Sequence, residues 1–107
     1  MTTWNNKKEF KDRVRQWAEK LDVNIQSLAV RPMKNKWASC STRGVLNFNS
    51  ELLDHEKDVG DYVIVHELLH FYVPNHGKLW KSLMRAHLGD YEKMAEKLKK
   101  TQHHSNC

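Results

Sequence analysis

The feature that most constrains the fold is a nearly apolar segment of the chain between Tyr62 and Val73. A helix built from this segment has apolar side chains on almost every side, which is typical of a central, buried helix. Its only strongly polar side chains are His66, Glu67 and His70. Burying these three groups without partners would cost several kcal/mol, so the sequence predicts a bound group that satisfies them.

The spacing of the polar residues indicates what that group is. His66 and His70 lie four residues apart, so their imidazoles project from one face of a helix and can bind the same metal ion. Glu67 lies beside them around the helix, within reach of a water on that ion, which completes the H-E-x-x-H pattern of zinc hydrolases. A catalytic zinc usually has three protein ligands, and His76 is the candidate for the third. We expect Pro74 to end the helix and let the chain turn back toward the metal.

This constellation predicts a zinc-dependent hydrolase that cleaves peptide bonds. Zinc would lower the pKa of a bound water toward about 7, and Glu67 would act as general base and return the proton to the leaving amine. Candidates for stabilising the developing oxyanion are Tyr72, Asn75 and Tyr91. The pattern specifies water activation and not the acyl group, so a non-peptidic amidase is an alternative. Two further interpretations are core histidines without a metal and a closed structural zinc site, which normally uses thiolates.

The rest of the chain predicts an α+β fold around this helix. Asn6 begins a capping box, and apolar residues then recur at helical spacing, which predicts a first helix over residues 6–21. Residues 23–49 carry alternating apolar side chains and turn residues that fit three short strands. A final segment from Lys78 is interrupted near Gly89 and predicts helices that cap the central one.

At these residues the sequence resembles the YgjP-like metallopeptidase domain, a minimal zincin related to the SprT-like and WLM peptidases. The resemblance covers about residues 20–98. It rests on W-A-S-C-S from Trp37, D-Y-V-I-V-H-E-L-L-H from Asp61, N-H from Asn75, and L-W from Leu79 followed by G-D-Y. Two positions differ from the family pattern, because Ala38 stands in place of the usual Gly and Leu79 in place of the usual Phe.

The resemblance implies a fold and a set of site residues. It implies zinc ligation by His66, His70 and His76, with a catalytic role for Glu67. It also implies the minimal zincin fold, in which a small, three-stranded, mainly antiparallel sheet packs beside the active-site helix. Peptides or proteins are then the expected substrates.

The same similarity suggests a strand near the cleft to which an extended substrate could add by main-chain pairing. The residues of this candidate substrate strand are Trp37, Ser39, Cys40 and Ser41. The alternative interpretation is that Trp37 is simply part of the core and Cys40 a small buried filler.

The charge of the chain bears on its possible partners. Lys and Arg exceed Asp and Glu by five, with basic clusters in the first and last predicted helices. Their members are Lys7, Lys8, Lys11, Arg13 and Arg15, and then Lys93, Lys97, Lys99 and Lys100. Such clusters are usually solvated helix faces, but a nucleic-acid-associated module that uses the zinc fold as a scaffold is an alternative function.

A chain of 107 residues without a linker or repeat predicts one domain, with residues 100–107 as a disordered tail. Cys40 and Cys107 lack the spacing of a disulfide framework or a C-x-x-C site, which favours reduced thiols. No segment has the length of a membrane span or the pattern of a signal peptide, so we expect a soluble cytoplasmic protein. The other histidines are expected to be exposed, namely His55, His87, His103 and His104.

Overall fold

The computed structural model describes residues 3–34, 36–41, 43–73 and 75–99, and it confirms the predicted α+β class. The helices are α1 (Lys7–Leu21), α2 (Lys57–Leu69), α3 (Lys78–Leu88) and α4 (Glu92–Lys99). The strands are β1 (Ser27–Arg31), β2 (Ala38–Cys40) and β3 (Val45–Asn49), and a short 3₁₀ helix, Ser50–Asp54, precedes α2. The expected tail at residues 100–107, with Cys107, His103 and His104, lies outside the described residues.

Helix α1 begins where the capping pattern predicts. The side-chain oxygen of Asn6 accepts a hydrogen bond of 2.9 Å from the backbone N–H of Glu9, which satisfies one donor of the first turn. The Glu9 carboxylate in turn accepts from the backbone N–H of Asn5, also at 2.9 Å, so the box closes one residue further out than usual. The apolar stripe of the helix is buried at Phe10, Val14, Trp17 and Ala18.

The three strands form a mixed sheet in the order β1-β3-β2, whereas the expectation was a mainly antiparallel one. Strands β2 and β3 are antiparallel, while β1 and β3 are parallel. The reason is topological: the chain reverses direction after β1 and again after β2, so β1 and β3 run the same way. Because β3 lies between the other two, one of its two pairings must be parallel.

Helix α2 is the central element of the fold. Every residue from Val59 to Leu69 is buried, and the helix packs against α1, β2, α3 and α4. Gly60 permits a close approach on one side, since a Cβ atom there would meet the Trp4 ring at 2.5 Å. The apolar character that the sequence shows on every side is therefore explained by neighbours on every side.

The end of α2 differs from the expected one. The helix ends at Leu69, where the following backbone N–H groups bond to carbonyls three residues back, as from His70 to Glu67 at 3.2 Å. Such bonds tighten the last turn and satisfy carbonyl groups that have no partner within the helix. Pro74, which was expected to end the helix, lies outside the described residues.

A partly buried ion pair joins α1 to α2. Asp61 is 8% exposed and accepts two hydrogen bonds from the Arg13 guanidinium, at 2.6 and 2.7 Å. The indole N–H of Trp17 donates a third at 2.9 Å. The bond to Asp61 raises the pKa of Arg13 further above its usual value. Asp61 thus has its charge and its acceptor capacity satisfied by α1 alone.

This arrangement makes Asp61→Ala a test of the contact between α1 and α2. We expect the substitution to lower the free energy of unfolding by about 2 to 3 kcal/mol, because it leaves a half-exposed guanidinium and a buried indole N–H without their acceptor. Chemical denaturation measures this loss. Asp12→Ala is the matched control, since the Lys8–Asp12 pair is exposed and should contribute within about 0.5 kcal/mol. Equal effects of the two substitutions would contradict the assignment.

Candidate active site

Three imidazoles converge at the end of α2. The Nε2 atom of His76 lies 3.1 Å from Nε2 of His66 and 3.0 Å from Nε2 of His70. One nitrogen from each of the three rings can be chosen so that all lie within 4.8 Å of one another. His66 is 5% exposed, His70 is half-buried and His76 is exposed, so the cluster runs from the core to the surface. These distances are therefore consistent with the prediction that the three histidines can bind the same ion.

The ring of His70 is oriented by the backbone that follows it. Its Nδ1 atom lies 3.2 Å from the carbonyl oxygen of Val73. A carbonyl only accepts hydrogen bonds, so Nδ1 carries the proton and the neutral ring keeps a lone pair on Nε2. That lone pair belongs to the nitrogen that faces His76. A carbonyl that fixes the tautomer in this way is typical of metal-ligating histidines.

A compact turn presents His76. The side-chain oxygen of Asn75 accepts a hydrogen bond of 3.0 Å from the backbone N–H of Gly77, which encloses His76 between the two. Gly77 then serves as the N-cap residue of α3. A Cβ atom at Gly77 would lie 2.8 Å from the Asn75 oxygen, so glycine allows this turn to close. The turn that sequence analysis assigned to Pro74 is thus built, in the described residues, by Asn75 and Gly77.

Glu67 lies beside the cluster and not within it. Its side chain is 1% exposed, and its Oε2 atom lies 4.0 Å from Nε2 of His66. This distance is too long for a hydrogen bond but short enough for one water to contact both groups. The carboxylate is therefore close to whatever the three nitrogens bind, without being one of the converging atoms.

Aromatic rings enclose the buried side of the site. Trp80 of α3 packs against the histidine rings, and Tyr62 of α2 contacts His66 edge-on at 5.7 Å. Tyr91 stacks on Tyr62 at 6.3 Å and meets Trp80 edge-on at 5.8 Å. Burial raises the pKa of Tyr62 to about 12, with smaller contributions from Tyr91 and Glu67, so its hydroxyl stays neutral at physiological pH. The sequence pattern does not indicate a role for Trp80, although this residue lies four residues after His76.

The three oxyanion candidates differ in position. The Tyr72 hydroxyl donates a hydrogen bond to the backbone carbonyl of Asp22, at the end of α1, so it is engaged away from the histidines. The side-chain oxygen of Asn75 accepts a hydrogen bond from the backbone N–H of Gly77. Tyr91 lies in the aromatic group behind the site.

Two expectations about other histidines are wrong. His55 and His87 are half-buried, not exposed, and each meets a tryptophan edge-on: His55 contacts Trp37 at 5.3 Å and His87 contacts Trp17 at 6.1 Å. Both rings fill places beside the core where an imidazole can keep one edge in water.

Much of the basic charge on the helices is paired with acids. Within the two basic clusters, Arg13 binds Asp61, and further pairs include Lys8–Asp12 at 2.9 Å, Lys93–Asp90 at 3.7 Å and Lys97–Glu56 at 3.6 Å. The side chains of Lys99 and Lys100 lie outside the described part of the chain. Pairing of this kind reduces the charge that these helices could offer to a phosphate backbone.

The donor set fits a divalent metal ion. Nitrogens bound tetrahedrally at about 2.0–2.1 Å from one ion lie about 3.3 Å apart, close to the separations of 3.0 and 3.1 Å found between these imidazoles. Three imidazoles leave one tetrahedral position for water, as catalytic zinc sites do. Cys40, the cysteine within the described residues, is not a member of the cluster, which does not fit a closed thiolate site.

Fold and site together define a metal-dependent hydrolase in which a buried helix carries H-E-x-x-H. The sequence profile described as YgjP-like, metallopeptidase domain, matches residues 2–101. An uncharacterised protein of Methanocaldococcus jannaschii is 32% identical in an alignment of 92 residues that covers 81% of this chain and 84% of that protein. The chain therefore belongs to the YgjP-like metallopeptidase family.

Solved structures agree with this assignment. The crystal structure of the metallopeptidase zymogen jannalysin of Methanocaldococcus jannaschii is similar with a TM-score of 0.75 at 26% identity, covering 85% of this chain and 94% of that one. The zymogen abylysin of Pyrococcus abyssi has a TM-score of 0.77 at 17% identity, over 91% and 99% of the two chains, and shows the shared fold. The protein is thus a metallopeptidase, which implies a divalent metal and a peptide or protein substrate. Among the described residues, no helix is both long and apolar enough to cross a membrane.

Proposed function

We propose that the protein is a zinc peptidase in which His66, His70 and His76 hold the zinc and Glu67 acts as general base. The observation that carries this proposal is the convergence of three imidazole nitrogens, two pairs of them 3.0 and 3.1 Å apart, beside a buried carboxylate. Three neutral imidazoles suit zinc, and H-E-x-x-H on a helix is the arrangement of zinc peptidases.

The mechanism follows from where the side chains lie. Zinc, when bound, supplies an acidic water and polarises the carbonyl oxygen of the scissile bond. Glu67 would accept a proton from the water while the water oxygen adds to the carbonyl carbon. Glu67 would then deliver that proton to the amine nitrogen as the C–N bond breaks. Burial of Glu67 keeps bulk water from its carboxylate, so the proton passes between a few fixed groups. The Val73 carbonyl holds His70 in the tautomer that ligation requires.

Metal content tests the three proposed ligands. The purified protein should bind one zinc per chain, and a free zinc concentration 100-fold above Kd should raise the free energy of unfolding by about 2.7 kcal/mol. His66→Ala and His76→Ala should each remove the stoichiometric zinc and this stabilisation. Metal analysis and thermal denaturation with and without a chelator measure both effects.

His87→Ala is the matched control, because His87 is a half-buried histidine that contacts Trp17. It should keep the zinc and the response to the chelator. The proposal is overturned if the wild-type protein holds no stoichiometric zinc and His66→Ala changes neither metal content nor stability.

A substitution at Glu67 separates metal binding from catalysis. Glu67→Gln keeps the shape of the side chain but removes the base, so zinc should stay bound while turnover of a peptide substrate falls about 10²- to 10⁴-fold. Zinc content and kcat are measured on the same preparation. A Gln variant that keeps its zinc and hydrolyses peptides within tenfold of the wild-type rate would exclude Glu67 as the base.

Strand β2 is our proposed binding edge for an extended substrate. Within the described residues it is an edge strand, with β3 on one side, and it packs against α2. Trp37 accepts a hydrogen bond from Asn49 and Ser41 donates one to Val45, so the backbone groups of these two residues point toward β3. Antiparallel pairing alternates in direction, so Ser39 also points inward, opposite Asn47.

The backbone groups of Ala38 and Cys40 consequently point to the outer edge of the sheet. Of the four candidate substrate-strand residues, Trp37 has a buried side chain, and its contribution to binding is limited to positioning the strand. A peptide added to this edge would pair with Ala38 and Cys40.

A proline substitution tests this edge. Cys40→Pro removes the backbone N–H that points away from β3, so a substrate strand paired at this edge would lose one main-chain hydrogen bond. We expect KM to rise about tenfold, equivalent to about 1.4 kcal/mol, with zinc content near that of the control Cys40→Ala. Steady-state kinetics with peptides measure the change, and an unaltered KM in Cys40→Pro would argue against pairing at this edge.

A further inference from the structure

One residue outside the H-E-x-x-H pattern contacts all three histidines. The Trp80 ring lies 5.0 Å from that of His66, 6.4 Å from that of His70 and 4.6 Å from that of His76, measured between centroids. It is stacked near parallel to His70, with an angle of 18° between the planes, and lies at steeper angles to the other two. A single indole therefore touches ligand candidates that come from both the helix and the following loop.

Trp80 is itself held in place from behind. It is 5% exposed and meets Tyr91 edge-on at 5.8 Å. Tyr91 stacks on Tyr62 with an angle of 5° between the rings, and Tyr62 contacts His66. These contacts close a ring of four side chains, from His66 through Trp80, Tyr91 and Tyr62 back to His66. The indole is thus a fixed surface and not a side chain that adapts to the histidines.

The three histidines differ in how much they need such a surface. His66 is held within the buried helix, and His70 is oriented by the Val73 carbonyl. His76 is exposed, and in the described chain its hydrogen bonds and ring contacts are made with the other two histidines and Trp80. Of the three, it also lies closest to the indole. Its ring orientation therefore depends on Trp80 more than that of the others does.

We propose that Trp80 is a positioning residue of the metal site, which packs on the three imidazoles and holds His76 in the orientation that ligation requires. This inference rests on the proposed metal site. A histidine that is free to rotate must lose that freedom when it binds a metal, and an ordered indole beside it reduces the loss. Residues that orient ligands from outside the ligand set contribute about 10- to 100-fold to metal affinity.

The test compares zinc affinity among variants of the full chain, by competition with a chromophoric chelator. Trp80→Leu removes the aromatic surface and should weaken zinc binding about 10- to 100-fold, while Trp80→Phe keeps part of it and should weaken binding about three- to tenfold. Absorption of the Co²⁺-substituted protein gives a second readout, because its visible bands respond to coordination geometry. We expect these bands to shift in Trp80→Leu.

Phe10→Leu is the matched control for lost core packing. Phe10 is fully buried against Trp4 and Phe48, so the substitution should destabilise the fold while leaving zinc affinity and the Co²⁺ bands unchanged. Wild-type affinity in Trp80→Phe or Trp80→Leu overturns the role of Trp80, as does an equal loss in Phe10→Leu. If Trp80→Leu does not fold, Trp80→Phe decides alone. A wild-type protein that binds no zinc is a different result, which removes the metal site itself.

Discussion

Burial of α2 is the constraint on which the rest of the structure depends. The helix is surrounded on every side, and it carries two carboxylates and the His66 imidazole into that environment, with His70 directly at its end. Each polar group needs a partner, because an unsatisfied charge or donor in the core costs more than most single contacts contribute. Asp61 receives its partners from α1, and His70 receives one from the backbone that follows α2. The same helix therefore forms the centre of the core and carries residues of the proposed active site.

This coupling explains how so short a chain can build the proposed catalytic centre. The central helix, the turn after it and the next helix contribute Glu67, the three histidines and Trp80, all within residues 66–80. Strand β2, the proposed substrate edge, packs against the same helix. Burial also strengthens electrostatic interactions at the site, since the effective dielectric constant is lower there than in water. Helix α1 takes no direct part in the chemistry, but its Arg13 fixes α2 five residues before His66.

The sequence predicted the parts of this fold and site that depend on local periodicity. The four-residue spacing of His66 and His70, the cap at Asn6 and the break near Gly89 all follow from helix geometry. It missed features that depend on long-range packing. Trp80 has the pattern of an ordinary core residue on an amphipathic helix, and its contact with three histidines appears only once α3 folds back. Nothing in the sequence indicates that Arg13 and Asp61 meet, since 48 positions separate them.

The sequence by itself determined the α+β class, the buried helix and the residues that we propose for the chemistry, because helical spacing and the cost of burying polar groups act locally. The tertiary structure decided the rest. It placed β3 between β1 and β2, which made one strand pairing parallel, and it turned the backbone of Ala38 and Cys40 toward the outer edge. It also closed the turn at Asn75 and Gly77 that brings His76 to the other histidines. These outcomes depend on which surfaces pack together, and spacing along one chain does not specify that.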